Sequence, residues 1–226
     1  FTGCFSSYVN KDIALASFNI LKKLGIDFTY LGDEEPCCGY FIYNTGDHET
    51  SKELIEKNRR IFKERGIERI ITVCPGCTTF LTKYYNMDIE VVHISKMISG
   101  IIKERVVPLK KHNGTVTFHD ACNIGRSLGL YQEPRDMIHA LGYTLVEMAL
   151  SKETAICCGA DGGMKIVFPG LAIEIGKTRL DGMPEKCDRL FTICPFCLAN
   201  LKEASDKYKK GVEILNLLVE FSNALL

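Results

Sequence analysis

Eleven cysteines in 226 residues are the side chains here whose type and spacing invite chemistry. Ten of them follow one pattern written twice. The first half carries Cys4, Cys37-Cys38-Gly39 and Cys74-Pro75-Gly76-Cys77. The second carries Cys122, Cys157-Cys158-Gly159 and Cys194-Pro195-Phe196-Cys197. The offsets are 122 − 4 = 118, 157 − 37 = 120 and 194 − 74 = 120. Self-similarity of this kind marks a repeated structural unit. An odd cysteine count with two CxxC pairs favours a metal or cluster over a disulfide framework. Zinc sites and ordinary iron–sulfur cubanes take four protein ligands. Five thiols per half therefore leave two readings open: one spare core thiol in each half, or an unusual centre. Neighbouring side chains on an extended backbone point apart. Cys37-Cys38 and Cys157-Cys158 thus suit two irons of an opened cluster better than one four-ligand cage. Zinc in one half remains an alternative.

Short β-branched runs alternate with helical patterns, which predicts βαβ units and a parallel sheet. In the first half, strands are expected at 1–3, 27–31, 69–73 and 90–93. Helices are expected at 11–24, 49–65, 75–85 and 94–104. In the second half, strands are expected at 115–119, 144–148 and 189–193. Helices are expected at 134–141, 169–180, 195–208 and 214–225. The polar connection 106–114 divides the chain into repeats at 1–110 and 111–226. The expected fold is α/β: two tandem Rossmann-like halves related by a pseudo-two-fold axis, each with about four parallel strands. Sites in open parallel sheets form beyond the C-terminal strand ends, so each half would gather its five thiols at one edge. Cys77 and Cys197 fall near helix N-termini, where the dipole favours thiolate.

Other residues near these positions carry weaker signals. Gly159-Ala160-Asp161-Gly162-Gly163 lacks phosphate-loop spacing and suits close backbone approach to a cluster. Tyr40, Phe41 and Tyr43 follow the first pair and are read as core or as cavity lining. His93 and His119 sit at strand ends. His119 is a candidate proton donor to a leaving thiolate, since its ordinary pKa permits that role. Arg126 is a candidate substrate anchor, and Arg135 either shares that role or forms salt bridges. Cys187 has no first-half counterpart and reads as a buried thiol.

Lys plus Arg and Asp plus Glu both number 28. This balance argues against a nucleic-acid binder. No apolar run reaches the ~18 to 20 residues that span a bilayer, and no signal peptide is visible, so a cytoplasmic protein is expected. The apolar tail 212–226 reads as an amphipathic helix packed on the core. A start at Phe1 without an initiator Met points to a piece of a longer chain.

The doubled Cys…CCG…CPxC pattern resembles the CCG-domain iron–sulfur family. So do Phe118-His119-Asp120-Ala121-Cys122-Asn123-Ile124-Gly125-Arg126, Pro134-Arg135 and Glu147-Met148. The likeness covers nearly the whole chain and is strongest to the catalytic subunits of heterodisulfide reductases, above all the C-terminal part of the D type. The resemblance implies two noncubane [4Fe-4S] clusters. Cys4, Cys37, Cys38, Cys74 and Cys77 would hold one; Cys122, Cys157, Cys158, Cys194 and Cys197 would hold the other. It implies reduction of a small disulfide or thiol-pair substrate placed between them. No ferredoxin-type cysteine run is present, so electrons would arrive from a partner subunit or a preceding ferredoxin-like segment. The alternative implied role is an electron relay in a complex oxidising lactate, glycolate or glycerol 3-phosphate, peripheral to a membrane.

Overall fold

The computed structural model describes all 226 residues. In chain order the helices are α1 (Cys4–Tyr8), α2 (Lys11–Lys23), α3 (Tyr40–Asn44), α4 (His48–Glu64), α5 (Pro75–Tyr84) and α6 (Ile94–Glu104). They continue as α7 (Gln132–Ala140), α8 (Met164–Val167), α9 (Pro169–Asp181), α10 (Pro195–Lys207) and α11 (Leu217–Ala224). The strands are β1 (Arg69–Thr72), β2 (Glu90–His93), β3 (Thr115–Phe118), β4 (Thr144–Leu145), β5 (Arg189–Thr192) and β6 (Glu213–Asn216).

All strand pairs are parallel. The second repeat forms a four-stranded sheet in the order β4-β3-β5-β6. The first repeat forms the pair β1-β2. The strands expected at 1–3 and 27–31 carry no ladder. The N–H groups of Thr2 and Gly3 donate to the Glu35 carboxylate at 2.8 and 2.7 Å instead. The repeat register nevertheless persists there. The Phe1 amino group donates to the Ile71 carbonyl at 2.8 Å, as the His119 N–H donates to the Phe191 carbonyl at 2.8 Å. These two pairs are related by the same 118 and 120 offsets as the cysteines.

The helix expected at 214–225 divides into β6 and α11. The run Val212–Val219 is apolar with few breaks, so periodicity alone does not separate strand from helix there. The break falls at Asn216, whose side chain accepts the Leu218 N–H at 2.9 Å and caps α11. His93 plays the same part at the end of β2: its ring accepts the Ser95 N–H at the start of α6. Asp47 caps α4 by accepting the Thr50 N–H. Proline occupies the first helical position of α5 and of α10, where no intrahelical donor is lost.

The two repeats share one core. Ile13, Ile20, Ile94 and Ile98 of the first repeat pack in the same cluster as Phe118, Phe191, Leu217 and Phe221 of the second. α11 lies on α2, and α6 lies on α7. The connection 106–114 is tied to the C-terminal end of the chain, since Leu109 bridges to Leu225 and Lys110 donates to the Ala224 carbonyl. A second cluster beneath the first repeat consists of Phe62, Ile70, Phe80, Leu81 and Tyr85 with Cys38, Cys74 and Cys77. The thiols are thus part of the packed interior.

Candidate metal centre

Local backbone chemistry sets each thiol. Cys74 and Cys194 follow β1 and β5 and take the N-cap position of α5 and α10. Cys77 and Cys197 lie one turn in, buried at the positive end of the helix dipole. Cys4 opens α1, and Cys122 precedes a single π-helical turn over Asn123–Ser127. The glycine of each pair does one job twice. Gly39 and Gly159 have φ of +89° and +86°, a region where a Cβ costs about 1–2 kcal/mol. Each donates its N–H back to the first cysteine of its pair, at 3.4 Å to Cys37 and 3.3 Å to Cys157. Neither has room for a side chain. A Cβ on Gly39 would meet Ser51 Oγ at 3.0 Å, and one on Gly159 the Ala172 carbonyl oxygen at 2.6 Å.

The five thiols of each set touch in the same order. In the first, Cys4 meets Cys37, Cys37 meets Cys38, Cys38 meets Cys77, and Cys77 meets Cys74. The Cys4–Cys37 sulfur distance is 3.6 Å. In the second, the order is Cys122, Cys157, Cys158, Cys197, Cys194. The sets join where Cys74 meets Cys194. Cys38, Cys74, Cys77, Cys158, Cys194 and Cys197 are buried, while Cys4, Cys37, Cys122 and Cys157 are half-buried. Cys187 touches neither set and is buried by itself; burial pushes its thiol up.

Proton distribution repeats as well. Hydrogen bonds from Cys38 and Cys4 hold the Cys37 thiol down to about 3, against the opposing effect of burial. Hydrogen bonds from Cys122 and Cys158 hold Cys157 down to about 2. Their partners Cys4 and Cys122 are pushed up, first by donating to those thiolates and then by burial.

The five first-set thiols line one small cavity closed by Phe5, Tyr40, Phe41 and Phe196. Phe196, from the second CxxC, stacks on Phe5 with centroids 4.1 Å apart. Tyr40 reaches the other set. Its hydroxyl accepts from Asn123 Nδ2 at 2.9 Å, and that amide also donates to Asp161 at 3.3 Å. Burial and then the Asp161 charge push the Tyr40 hydroxyl up, and burial raises the Asp161 carboxyl. Tyr43 packs instead on Phe80 and Tyr84. The aromatics after Cys38 are therefore divided between cavity lining and core.

The histidines and arginines take roles that spacing along the chain does not reveal. His119 is fully buried, and its Nδ1 accepts from Arg179 Nε at 3.0 Å. Burial and the Arg179 charge push its imidazole down to about 3. A neutral ring sealed from water is a poor proton source, so the geometry argues against His119 as the proton donor. His93 donates or accepts only within the fold, at Val73 O and Ser95. Arg126 lies exposed, with Nη1 donating to the Ala155 carbonyl at 2.7 Å, which braces the chain before the second pair. Arg135 is buried and uses all five donors on Asp120, Glu147 and the Tyr131 carbonyl. It therefore has no donor left for a substrate.

Arg179 is a residue that the sequence pattern did not single out. It sits on α9 with Ala172, Ile173, Gly176 and Leu180 in the buried stripe. A cation at an apolar stripe position is the signal that could have found it. His119 lies with Cys158 and Cys197, their ligand atoms all within 4.8 Å of one another. His119 Nε2 and Arg179 Nη2 are buried without partners.

These features suit a sulfur-rich anionic centre in each set: clustered thiols at helix N-termini, inward backbone N–H groups and buried donors without protein acceptors. A Cβ on Gly3 would stand 3.0 Å from the Cys77 sulfur, so that face of the first set is kept clear.

The cysteine-rich CCG domain model matches residues 1–82 and 116–202. The chain belongs to that family. It is 35% identical over 237 aligned positions to the D-type subunit of dihydromethanophenazine:CoB–CoM heterodisulfide reductase from Methanosarcina acetivorans, covering all of this chain and 58% of that protein. It is 33% identical to the B-type subunit of fumarate reductase (CoM/CoB) from Methanothermobacter marburgensis, covering 96% of this chain and 44% of that protein. It is 32% identical to EtfAB:quinone oxidoreductase of Syntrophomonas wolfei, covering 90% and 30%. The chain thus spans little more than half the length of these relatives at most. No helix is long and apolar enough to cross a membrane.

Proposed function

We propose that this chain is an iron–sulfur oxidoreductase subunit that reduces a disulfide at two [4Fe-4S] centres of noncubane type. Each five-thiol set would hold one centre. The observation that carries this reading is the doubled order of thiol contacts, joined at Cys74 and Cys194. One substrate with two similar ends matches two similar sites. The likeness to part of a heterodisulfide reductase supports the substrate class.

When bound, the clusters would supply one-electron chemistry at sulfur-ligated iron. The chain's own residues supply the rest. Cys4, Cys37, Cys122 and Cys157 are the half-buried thiols and form the solvent side of the two sets. Phe5, Phe41 and Phe196 exclude water from the first set. Tyr40, Asn123 and Asp161 tie the two sets together by hydrogen bonds. Arg126 is exposed nearby and is the candidate anchor for an anionic group on the substrate. The balance is one disulfide plus two electrons and two protons giving two thiols. The electrons come from a donating partner subunit or a preceding ferredoxin-like segment, and a cytoplasmic, membrane-peripheral setting belongs to the same proposal.

The test is iron, acid-labile sulfide and zinc per chain in anoxically purified protein, followed by disulfide turnover with reduced viologen. Two four-iron clusters predict about eight iron and about eight sulfide, with two viologens oxidised per disulfide cleaved. The second reading is an electron relay, favoured by the likeness to an EtfAB:quinone oxidoreductase. Full cluster content without thiol release from any disulfide would support it. Zinc alone in colourless protein would overturn both.

A further inference from the structure

The two thiol sets match in order, but their surroundings do not. His119 accepts from Arg179 through Nδ1, so the proton of its neutral ring resides on Nε2. That Nε2 is buried without a partner, and so is Arg179 Nη2. Arg179 is 1% exposed and His119 is 0% exposed. Arg179 Nη1 is held by the Leu150 carbonyl at 2.6 Å, which fixes the guanidinium from behind. A buried donor left unpaired costs about 1–3 kcal/mol. Two such donors on one side of one thiol set call for an acceptor. His119 with Cys158 and Cys197 within 4.8 Å places that acceptor in the second set.

The first repeat has no equivalent. Subtracting the repeat offsets gives 119 − 118 = 1 and 179 − 120 = 59. Phe1 offers a phenyl ring packed edge-on against Phe62. Arg59 is turned outward, onto Glu56 and the Asn86 carbonyl. The charged side chain beside the first set is Glu35, bound to the Thr2 and Gly3 N–H groups. Asn58 and Tyr85 approach the first pair but donate to the carbonyls of Cys37 and Cys38. Asp161 is influenced by both Cys74 and Cys157 and so lies between the sets. Asp120 is neutralised by Arg135.

We infer that His119 and Arg179 are positioning residues that donate hydrogen bonds into the second thiol set and make its centre the more easily reduced of the two. The inference rests on the two-cluster reading above. Hydrogen bonds to cluster sulfurs and nearby positive charge both favour the reduced, more negative state, and both are recognised levers on potential. The duplicated protein thus holds an unequal pair: a second-set centre facing a guanidinium and an imidazole N–H, and a first-set centre facing a carboxylate and a phenyl ring.

The test is a mediated potentiometric titration followed by EPR, on protein whose iron and sulfide have been counted. In the unaltered protein the two centres titrate at separate potentials. His119→Phe, which installs the first-repeat residue, and Arg179→Met each shift the higher-potential centre at least tenfold toward the oxidised form. Tenfold is 59 mV for a one-electron couple. The other centre stays put. His119→Gln keeps an acceptor for Arg179 and a donor toward the thiols, and its shift is smaller than that of His119→Phe. Arg179→Lys keeps the charge and provides a measurable variant if Arg179→Met fails to fold. Full iron content with equal potentials, or with both centres shifted together, overturns the inference and leaves the two-cluster reading standing. Absence of clusters from the unaltered protein overturns both.

Discussion

The thiols of Cys74 and Cys194 lie within hydrogen-bonding reach of each other, each at the N-cap of the helix that follows a central strand of its own repeat. Two buried sulfurs 120 positions apart in sequence are thereby the contact point of two five-thiol sets. The shared core around Ile98, Phe118 and Phe221 holds them there.

Loading should follow the two sets separately. Cys37→Ser removes a low-pKa thiol from the first set, and Cys157→Ser removes its counterpart. Each variant should lose about half the iron and sulfide of the parent, from about eight to about four per chain. Elemental analysis with sulfide assay checks this. Equal and complete loss in both variants would show that the sets load as one unit.

Arg135 should be a stability residue. Replacing it by Met leaves Asp120 charged and buried, since the Asp120 side chain is 1% exposed. Breaking a buried pair from one side typically costs ~3–5 kcal/mol. Urea denaturation of Arg135→Met should show a loss of that order, partly restored by adding Asp120→Asn. A loss below ~1 kcal/mol would mean that Asp120 does not depend on the guanidinium.

Gly159→Ala should be worse than Gly129→Ala. Both positions have positive φ, +86° and +70°, so both carry the left-handed penalty of about 1–2 kcal/mol. Around Gly129 nothing lies within 4 Å of the added carbon, whereas at Gly159 it would stand 2.6 Å from the Ala172 carbonyl oxygen. Thermal melts of the two variants, with iron content alongside, should show the lower Tm for Gly159→Ala and a loss of iron in that variant alone.

Acid should destabilise the fold through its buried histidines. Burial pushes His93 down to about 4, from an ordinary value near 6.5. The unfolded chain takes up a proton below about pH 6.5 while the native chain does not. Stability contributed by the neutral ring is therefore complete above that pH. It is lost between about 6.5 and 4, by at most ~1.4 kcal/mol per pH unit. His93→Asn supplies the cap that Asn216 provides in the second repeat and removes this group from the balance. Urea midpoints at pH 7.5 and 5 should fall less in the variant than in the parent. An identical fall would place the acid sensitivity elsewhere.

Sequence alone determined the doubled thiol pattern, the parallel α/β class and most of the elements, because each rests on local signals. β2 at 90–93 and α6 at 94–104 coincide with their expected bounds. Pro75 and Pro195 marked helix starts because proline fits the first helical position and few others. The family was legible for the same reason, since ten cysteines at fixed spacing survive without any knowledge of packing.

Tertiary structure decided what depends on partners distant in the chain. Whether 27–31 becomes a strand depends on a neighbour to bond with, and none is there. Whether Val212–Val219 is strand or helix depends on β5 offering its edge to Glu213–Asn216. The roles of the charged residues were settled in the same way. Arg135 became structural because Asp120 and Glu147 fold onto it. His119 lost the role of proton donor because Arg179, sixty residues away, occupies its Nδ1. Burial and hydrogen-bond pairing fix protonation and availability, and both are properties of the packed interior rather than of spacing along the chain.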